Sequence, residues 1–121
     1  MQSELGPKGF QVVEGAINEN PDLPGFIRTF KPNFPVGTAD NVKVHEFMEI
    51  GMFVRSYVPF MVLIDRQGVI RYQHTGTEQT YFTDDMAAQT ANIRAELDKL
   101  LAEPAPKAPR KPSAKKATKT Q

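Results

Sequence analysis

The side chains of this sequence that could perform acid–base, metal or nucleophilic chemistry are few and widely spaced. Its only histidines, His45 and His74, lie on different predicted elements, with no carboxylate at metal-ligand spacing from either. We interpret both as surface or interfacial residues. Asp84 and Asp85 are adjacent, so their side chains would point to different sides of a helix. They are typical of a helix N-terminus and not of an acid–base pair.

The other reactive groups lack the context that their chemistry requires. The chain has no cysteine, which excludes disulfides, thiol catalysis and thiolate metal sites. The segment 6–9, Gly-Pro-Lys-Gly, is typical of a turn and differs from a phosphate-binding loop. Three serines lie outside any nucleophile-elbow pattern: Ser3, Ser56 and Ser113. Three tyrosines are interpreted as packing residues and not as cofactor contacts: Tyr57, Tyr72 and Tyr81. We therefore predict no catalytic residue, no metal ligand and no cofactor.

Two segments of opposite charge make up a chain whose net charge is only +1. Residues 104–121 contain six Lys or Arg and no acidic residue, a charge of +6, which leaves residues 1–103 at −5. This Pro/Ala/Lys-rich tail has no large apolar side chain, so burial cannot offset the entropy of ordering it. We predict a disordered basic tail that is either simply solubilising or makes weak contact with nucleic acid or anionic lipid.

The sequence has no stretch that predicts a membrane span or a signal peptide. A span needs about 20 apolar residues, whereas the longest apolar run, Val58 to Ile64, is short and interrupted by Pro59. The N-terminus has neither the basic start nor the apolar core of a signal peptide. The chain as given is therefore predicted to be cytoplasmic, whereas a longer parent protein would be open to export or membrane anchoring.

Residues 1–103 alternate between strand-like and helix-like patterns. Strands are predicted at 10–17, 60–64 and 69–75, with a possible short strand at 34–36. The Asp-first, Gly-last pattern of residues 65–68 predicts a turn between the last two strands.

Three helices are predicted from apolar residues that recur on one face. The first starts at Leu23, with Asp22 as its N-cap, and stops before Pro32. The second runs over residues 41–50 and is ended by Gly51. The third is capped by Thr83 and closed by Pro104, with an apolar face formed by Met86, Ile93, Leu97, Leu100 and Leu101. These elements predict an α/β domain with a mixed sheet flanked by helices.

The region from Phe10 to about Leu101 resembles the thioredoxin-like proteins of the TlpA type, which are similar to the redoxins of the alkyl hydroperoxide reductase and thiol-specific antioxidant group. Gly6 to Val13 resembles the end of the family's active-site helix and the strand that follows it. Phe34-Pro35-Val36 resembles a connection typical of the family. The strongest match is Val58-Pro59-Phe60 followed by Leu63-Ile64-Asp65-Arg66-Gln67-Gly68-Val69-Ile70.

This last match implies a substrate-binding segment. In the family the proline is cis and lies beside the cysteine pair, and the residue before it pairs through its backbone with an extended substrate. The resemblance therefore implies that Pro59 is the cis-proline and Val58 the substrate-contacting residue, flanked by Tyr57 and Phe60. Phe60 departs from the threonine that the family often has after the proline.

The resemblance also implies that the catalytic Cys-x-x-Cys segment would lie before residue 1, so that the domain is truncated at its N-terminus and lacks a central strand. A sheet without that strand would expose unpaired edges. We therefore expect direct pairing of those edges, or a strand supplied by a partner protein or a second copy of the chain, or marginal stability.

Two functional hypotheses follow. The resemblance implies a place in the thiol-disulfide oxidoreductase family, which serves cell redox homeostasis, but a chain without a thiolate cannot perform disulfide exchange. The first hypothesis is therefore a redox-inactive member of that family. The alternative is a non-catalytic module that binds a peptide by strand-like pairing and attaches to anionic partners through its basic tail.

Overall fold

The computed structural model of this protein describes residues 1–51 and 57–106. The chain divides into two compact units, Met1–Val58 and Pro59–Gln121. Of the predicted basic tail only residues 104–106 are described, without regular secondary structure, and residues 107–121 lie outside the described residues. The disorder of the tail and the single domain over residues 1–103 both stay predictions.

The first unit is built around a parallel pair of short strands joined by a helix. Its strands pair with Glu14 opposite Val36 and Ala16 opposite Thr38. A parallel pair needs a crossover connection of this kind, which a helix usually supplies. The elements, in chain order, are α1 (Gln2–Leu5), a 3₁₀ turn (Gly6–Lys8), β1 (Glu14–Ala16), α2 (Leu23–Phe30), β2 (Val36–Thr38) and α3 (Asn41–Phe47).

The strand predicted at 10–17 is shorter than expected, because the side chain of Gln2 forms hydrogen bonds with the backbone of its first residues. The Gln2 amide donates to the Phe10 carbonyl at 3.1 Å and accepts from the Val12 N–H at 2.7 Å. Backbone pairing with a neighbouring chain segment begins only at Glu14, whose N–H donates to the Pro35 carbonyl at 3.0 Å. The predicted short strand at 34–36 is likewise displaced, to Val36–Thr38.

Helix α2 starts as predicted. The Asp22 carboxylate accepts a hydrogen bond from the Gly25 N–H at 3.0 Å and so caps the helix. Gly25 allows this close approach, since a Cβ there would lie 2.1 Å from Oδ2 of Asp22. The helix ends at Phe30, and Lys31 follows in a left-handed conformation.

Helix α3 ends earlier than predicted, because Gly51 is not the residue that stops it. Met48 is the C-cap and Glu49 takes a positive φ of 56°. The Glu49 N–H donates to the Glu46 carbonyl and the Ile50 N–H to the His45 carbonyl. This is the Schellman arrangement, in which a left-handed residue after the cap satisfies the last helical carbonyls.

The second unit consists of a β-hairpin and a long helix. The hairpin pairs β3 (Met61–Ile64) with β4 (Ile70–His74) in antiparallel register, with Leu63 opposite Tyr72 and an irregularity before Ile64. The turn between them is confirmed: the Asp65 carboxylate accepts from the N–H groups of Gln67 and Val69, and Gly68 has a φ of 84°.

Helix α4 (Met86–Leu101) is the longest described element. Its N-cap is Asp85, which accepts from the N–H groups of Ala87 and Ala88, so the predicted Thr83 cap is wrong. The Thr83 hydroxyl instead donates to the Asp85 carbonyl at 2.9 Å. Leu97 and Leu100 are buried as predicted, whereas Met86 is exposed.

Two arginines hold the hairpin to the end of α4. Arg71 forms ion pairs with Asp65 at 3.2 Å and with Glu103 at 2.8 Å. The Arg66 guanidinium donates to the Glu103 carbonyl. Cationic side chains at a helix C-terminus satisfy its last carbonyls and interact favourably with its dipole.

The structure is therefore of the α/β class, with four helices and two small sheets among the described residues. The described strands form a parallel pair and an antiparallel pair instead of the one mixed sheet predicted. Within the described ranges, no helix combines the length and apolar character that crossing a membrane requires.

Candidate functional site

The predicted substrate-binding residues lie in an irregular segment that leads directly into β3. Tyr57, Val58 and Pro59 are exposed, and Phe60 is half-buried. Two large apolar side chains, Tyr57 and Val58, thus lie at the surface immediately before a strand. The segment is accessible to a partner, as a substrate-binding segment must be. The cis conformation of Pro59 stays a prediction.

Strand β3 pairs with only one other strand among the described residues, namely β4. A strand with a single neighbour presents backbone N–H and C=O groups along its second edge, and such an edge accepts a further strand readily. Pro59, Phe60 and β3, all in the second unit, form what we call the edge segment, residues 59–64.

A polar cluster that the sequence did not reveal lies at the far end of β4. His74 interacts through both ring nitrogens: Nδ1 lies 2.8 Å from Oε1 of Glu78, and Nε2 lies 2.9 Å from Oε1 of Glu96. The Tyr81 hydroxyl donates to the same Glu96 oxygen at 2.7 Å. We call these four residues, His74, Glu78, Tyr81 and Glu96, the His74 cluster.

Three pieces of chain meet in the His74 cluster. His74 is the last residue of β4, Glu78 and Tyr81 come from the connection that follows, and Glu96 is on α4. The Tyr81 ring stacks on the imidazole with a centroid distance of 3.6 Å and an interplanar angle of 13°. The Phe82 ring meets the imidazole edge-on, with centroids 6.4 Å apart. The cluster therefore fixes the connection after β4 to both the strand and the helix.

The electrostatics of the cluster favour a charged imidazole. Burial by itself would lower the pKa of His74, but its hydrogen bonds with Glu78 and Glu96 outweigh burial and raise the pKa above 6.5. Burial opposes ionisation of Glu78 as well, yet the hydrogen bond with His74 holds the pKa of this carboxyl below 4.5. Burial, followed by the bond to Glu96, raises the pKa of Tyr81 so that it stays a neutral donor.

The His74 cluster corrects the interpretation of His74 as a surface or interfacial residue, since its side chain is only 13% exposed. His45 is also buried, with Nδ1 2.9 Å from the Asn41 carbonyl one helical turn earlier. The prediction that Tyr81 packs is confirmed by its stacking on the imidazole. The spacing of His74 and Glu78 was visible in the sequence, but their meeting depends on how the connection folds.

The described residues offer little for metal or small-molecule binding. No group of three or more His, Cys, Asp or Glu side chains within them is arranged to hold a metal ion. A cleft of about 230 Å³ in the first unit is lined by residues of β1, α2 and the connection between them, together with Val36. This volume lies below the range typical of ligand sites.

Comparisons of this chain with models of protein families, with curated proteins and with solved structures find no match. The edge segment and the His74 cluster therefore carry the functional argument.

Proposed function

We propose that this chain is a thioredoxin-like protein of the TlpA/redoxin type that performs no thiol-disulfide exchange itself. We propose further that it binds an extended segment of a partner protein along the edge segment, residues 59–64, with Val58 as the substrate-contacting residue that the resemblance implies. The observation that carries this proposal is that β3 has a single strand partner, β4, among the described residues.

The order and pairing of the elements support the thioredoxin-like part of the proposal. In the first unit a strand, a helix and a second strand form a parallel pair, and a further helix follows. In the second unit an antiparallel hairpin precedes the long helix α4. This is the order that the resemblance implies for the part of the domain that comes after the active-site helix.

The absence of thiols supports the non-catalytic part. Disulfide exchange proceeds by attack of a thiolate on a disulfide sulfur. The 121 residues contain no cysteine, so the chain itself supplies neither the attacking group nor the resolving group. What remains of a substrate site in such a chain is its capacity to bind.

Strand addition is the mode of binding that the edge segment favours. A peptide that lies alongside β3 would exchange backbone hydrogen bonds with its second edge, which gives affinity without dependence on sequence. The face of the peptide that contacts the exposed Val58 side chain would consist of alternate residues, because successive side chains of an extended chain point to opposite faces. The ligand class is therefore an extended peptide with apolar residues at alternate positions.

Titration of fluorescent peptides tests the proposal. We expect peptides of alternating valine and threonine to raise the fluorescence anisotropy on binding, and proline-interrupted versions to bind much more weakly. Val58→Asp should weaken binding by about tenfold or more, since it places a charge where an apolar contact forms.

Val42→Asp is the matched control, because Val42 is a comparably exposed valine, at 50% against 66% for Val58, on the unrelated helix α3. Equal loss of affinity in the two variants, or equal binding of the proline-interrupted peptides, would contradict binding along the edge segment. Turnover in a disulfide-reduction assay would contradict the non-catalytic part.

A further inference from the structure

The His74 cluster contains a single basic group between two carboxylates, and both contacts depend on one proton. A neutral imidazole has one N–H donor and one acceptor, so it can donate to only one carboxylate. Both ring nitrogens of His74 lie within 2.9 Å of a carboxylate oxygen. This arrangement is satisfied only by the doubly protonated ring.

We propose that the His74 cluster is a pH-operated latch, which holds the Glu78 side chain and, through it, the Thr75 N–H while His74 is charged, and releases both when His74 loses a proton.

The exposure of the two carboxylates decides which contact breaks. Glu96 is 16% exposed and accepts a second hydrogen bond, from the Tyr81 hydroxyl, whereas Glu78 is 42% exposed. A carboxylate that faces the lone pair of a neutral imidazole is repelled by it. Of the two carboxylates, the more exposed one, Glu78, turns toward water at the lower cost in free energy. The remaining proton of His74 therefore stays on Nε2 toward Glu96, and Glu78 leaves.

Release of the Glu78 side chain frees the Thr75 N–H. Its second oxygen, Oε2, accepts the Thr75 N–H at 3.0 Å, so this bond is lost when the side chain turns outward. The backbone around Glu78 keeps its bonds at every pH, since the Glu78 N–H donates to the Thr75 carbonyl and the Glu78 carbonyl accepts from the N–H groups of Tyr81 and Phe82. The Asn92 amide also donates to the carbonyls of Thr80 and Tyr81, so the release is confined to the Glu78 side chain and the Thr75 N–H.

The direction of the pH response follows from the groups that face the imidazole. These groups are Glu78 and Tyr81 from the connection and Glu96 from α4. Strand β3 contributes Met61, whose uncharged sulfur accepts a hydrogen bond from the Tyr81 hydroxyl. The raised pKa of His74 means that the latch is fully closed below about pH 6.5 and opens as pH rises through the folded-state value. Glu78, whose pKa lies below 4.5, stays ionised over this range.

Amide hydrogen exchange at Thr75, measured by NMR from about pH 6 to about pH 9 and corrected for the intrinsic rate, tests the latch. In the wild type we expect protection to fall by up to about tenfold per pH unit above the folded-state pKa of His74. His74→Gln should show the same protection at every pH, because glutamine does not titrate.

Asp98→Asn is the control, since it removes a carboxylate from α4 that pairs with Arg94 and not with His74. It should respond to pH as the wild type does. Constant protection of Thr75 in the wild type, or an equal fall in His74→Gln, would overturn the proposal.

Titration of the imidazole signals by NMR keeps the proposal testable if His74→Gln does not fold. The Glu78→Gln variant should lower the pKa of His74 relative to the wild type and reduce the pH dependence at Thr75. An unchanged His74 titration in that variant would also overturn the latch.

Discussion

Glu49 adopts a left-handed backbone conformation that costs little only for glycine. Its φ of 56° lies in the Schellman turn that ends α3. For a residue with a Cβ this conformation costs on the order of 1 kcal/mol, partly offset by the greater entropy that glycine has in the unfolded chain. We therefore expect Glu49→Gly to raise the free energy of unfolding by about 0.5–1 kcal/mol, measured by urea denaturation.

The control for this prediction is the same substitution three residues earlier. Glu46 lies within α3, where glycine costs up to about 1 kcal/mol relative to a good helix former. Glu46→Gly should therefore destabilise while Glu49→Gly stabilises. Two changes of the same sign would show that Glu49 is not the left-handed residue.

The residues of the two candidate sites differ in how far the sequence predicts them. Val58 and Pro59 belong to a contiguous motif, so a match along the chain is enough to single them out. Glu96 comes 22 positions after His74, and nothing local connects the two. Such a contact depends on where α4 packs, which a local pattern does not encode.

At the start of α4, two residues of types that favour the N-cap position, Thr83 and Asp85, lie close together, and only Asp85 caps the helix. Asp85 accepts from two N–H groups of the first turn, while Thr83 bonds only to the Asp85 carbonyl. Loss of an N-cap costs about 1 kcal/mol. We expect Asp85→Ala to lower the free energy of unfolding by about that amount and Thr83→Ala by less than half of it.

Thermal or urea unfolding followed by circular dichroism measures both changes. Asp84→Ala serves as a control, because it removes a neighbouring carboxylate that is not the cap. A larger loss of unfolding free energy in Thr83→Ala than in Asp85→Ala would contradict Asp85 as the cap and support Thr83, as predicted from the sequence.

The elements that sequence reasoning predicted well are those whose signals are local. The start of α2 depends on Asp22 three residues before Gly25, and the hairpin turn on Asp65 and Gly68. The strand at 10–17 was overestimated because the side chain of Gln2, distant in sequence, binds its first residues. The end of α3 was missed because Glu49, and not a glycine, takes the left-handed position.

At the scale of the whole molecule, few of the large apolar side chains of the described residues are buried and many remain exposed. The buried apolar side chains among the described residues are Leu5, Met48, Leu63, Leu97 and Leu100, of which only Leu5 is fully buried. Large apolar side chains remain exposed on helices and strands of both units, among them Phe30, Phe47, Ile64 and Ile70. Domains with so little buried apolar surface are marginal unless something else covers them. The predicted contact of the basic tail with anionic partners involves residues outside the described ranges and stays a prediction.

The second edge of β3 offers a way to bury more of this surface, through a strand supplied by a second copy of the chain. If the chain dimerises in this way, its unfolding is coupled to association, and a tenfold rise in concentration stabilises the folded state by about 1.4 kcal/mol. We therefore expect the Tm to rise by several degrees for each tenfold increase in concentration. Sedimentation should give the mass of a dimer.

Ile64→Lys tests whether the β3 edge forms that contact, because a lysine on an edge strand opposes strand pairing. Ile27→Lys adds the same charge on α2, where the isoleucine is 45% exposed against 50% for Ile64. We expect only Ile64→Lys to give a monomer whose Tm no longer depends on concentration. An excess of the valine–threonine peptide should likewise dissociate the dimer, since both ligands use the same edge. A wild-type monomer with cooperative, concentration-independent unfolding would contradict dimerisation and leave peptide binding as the role of this edge.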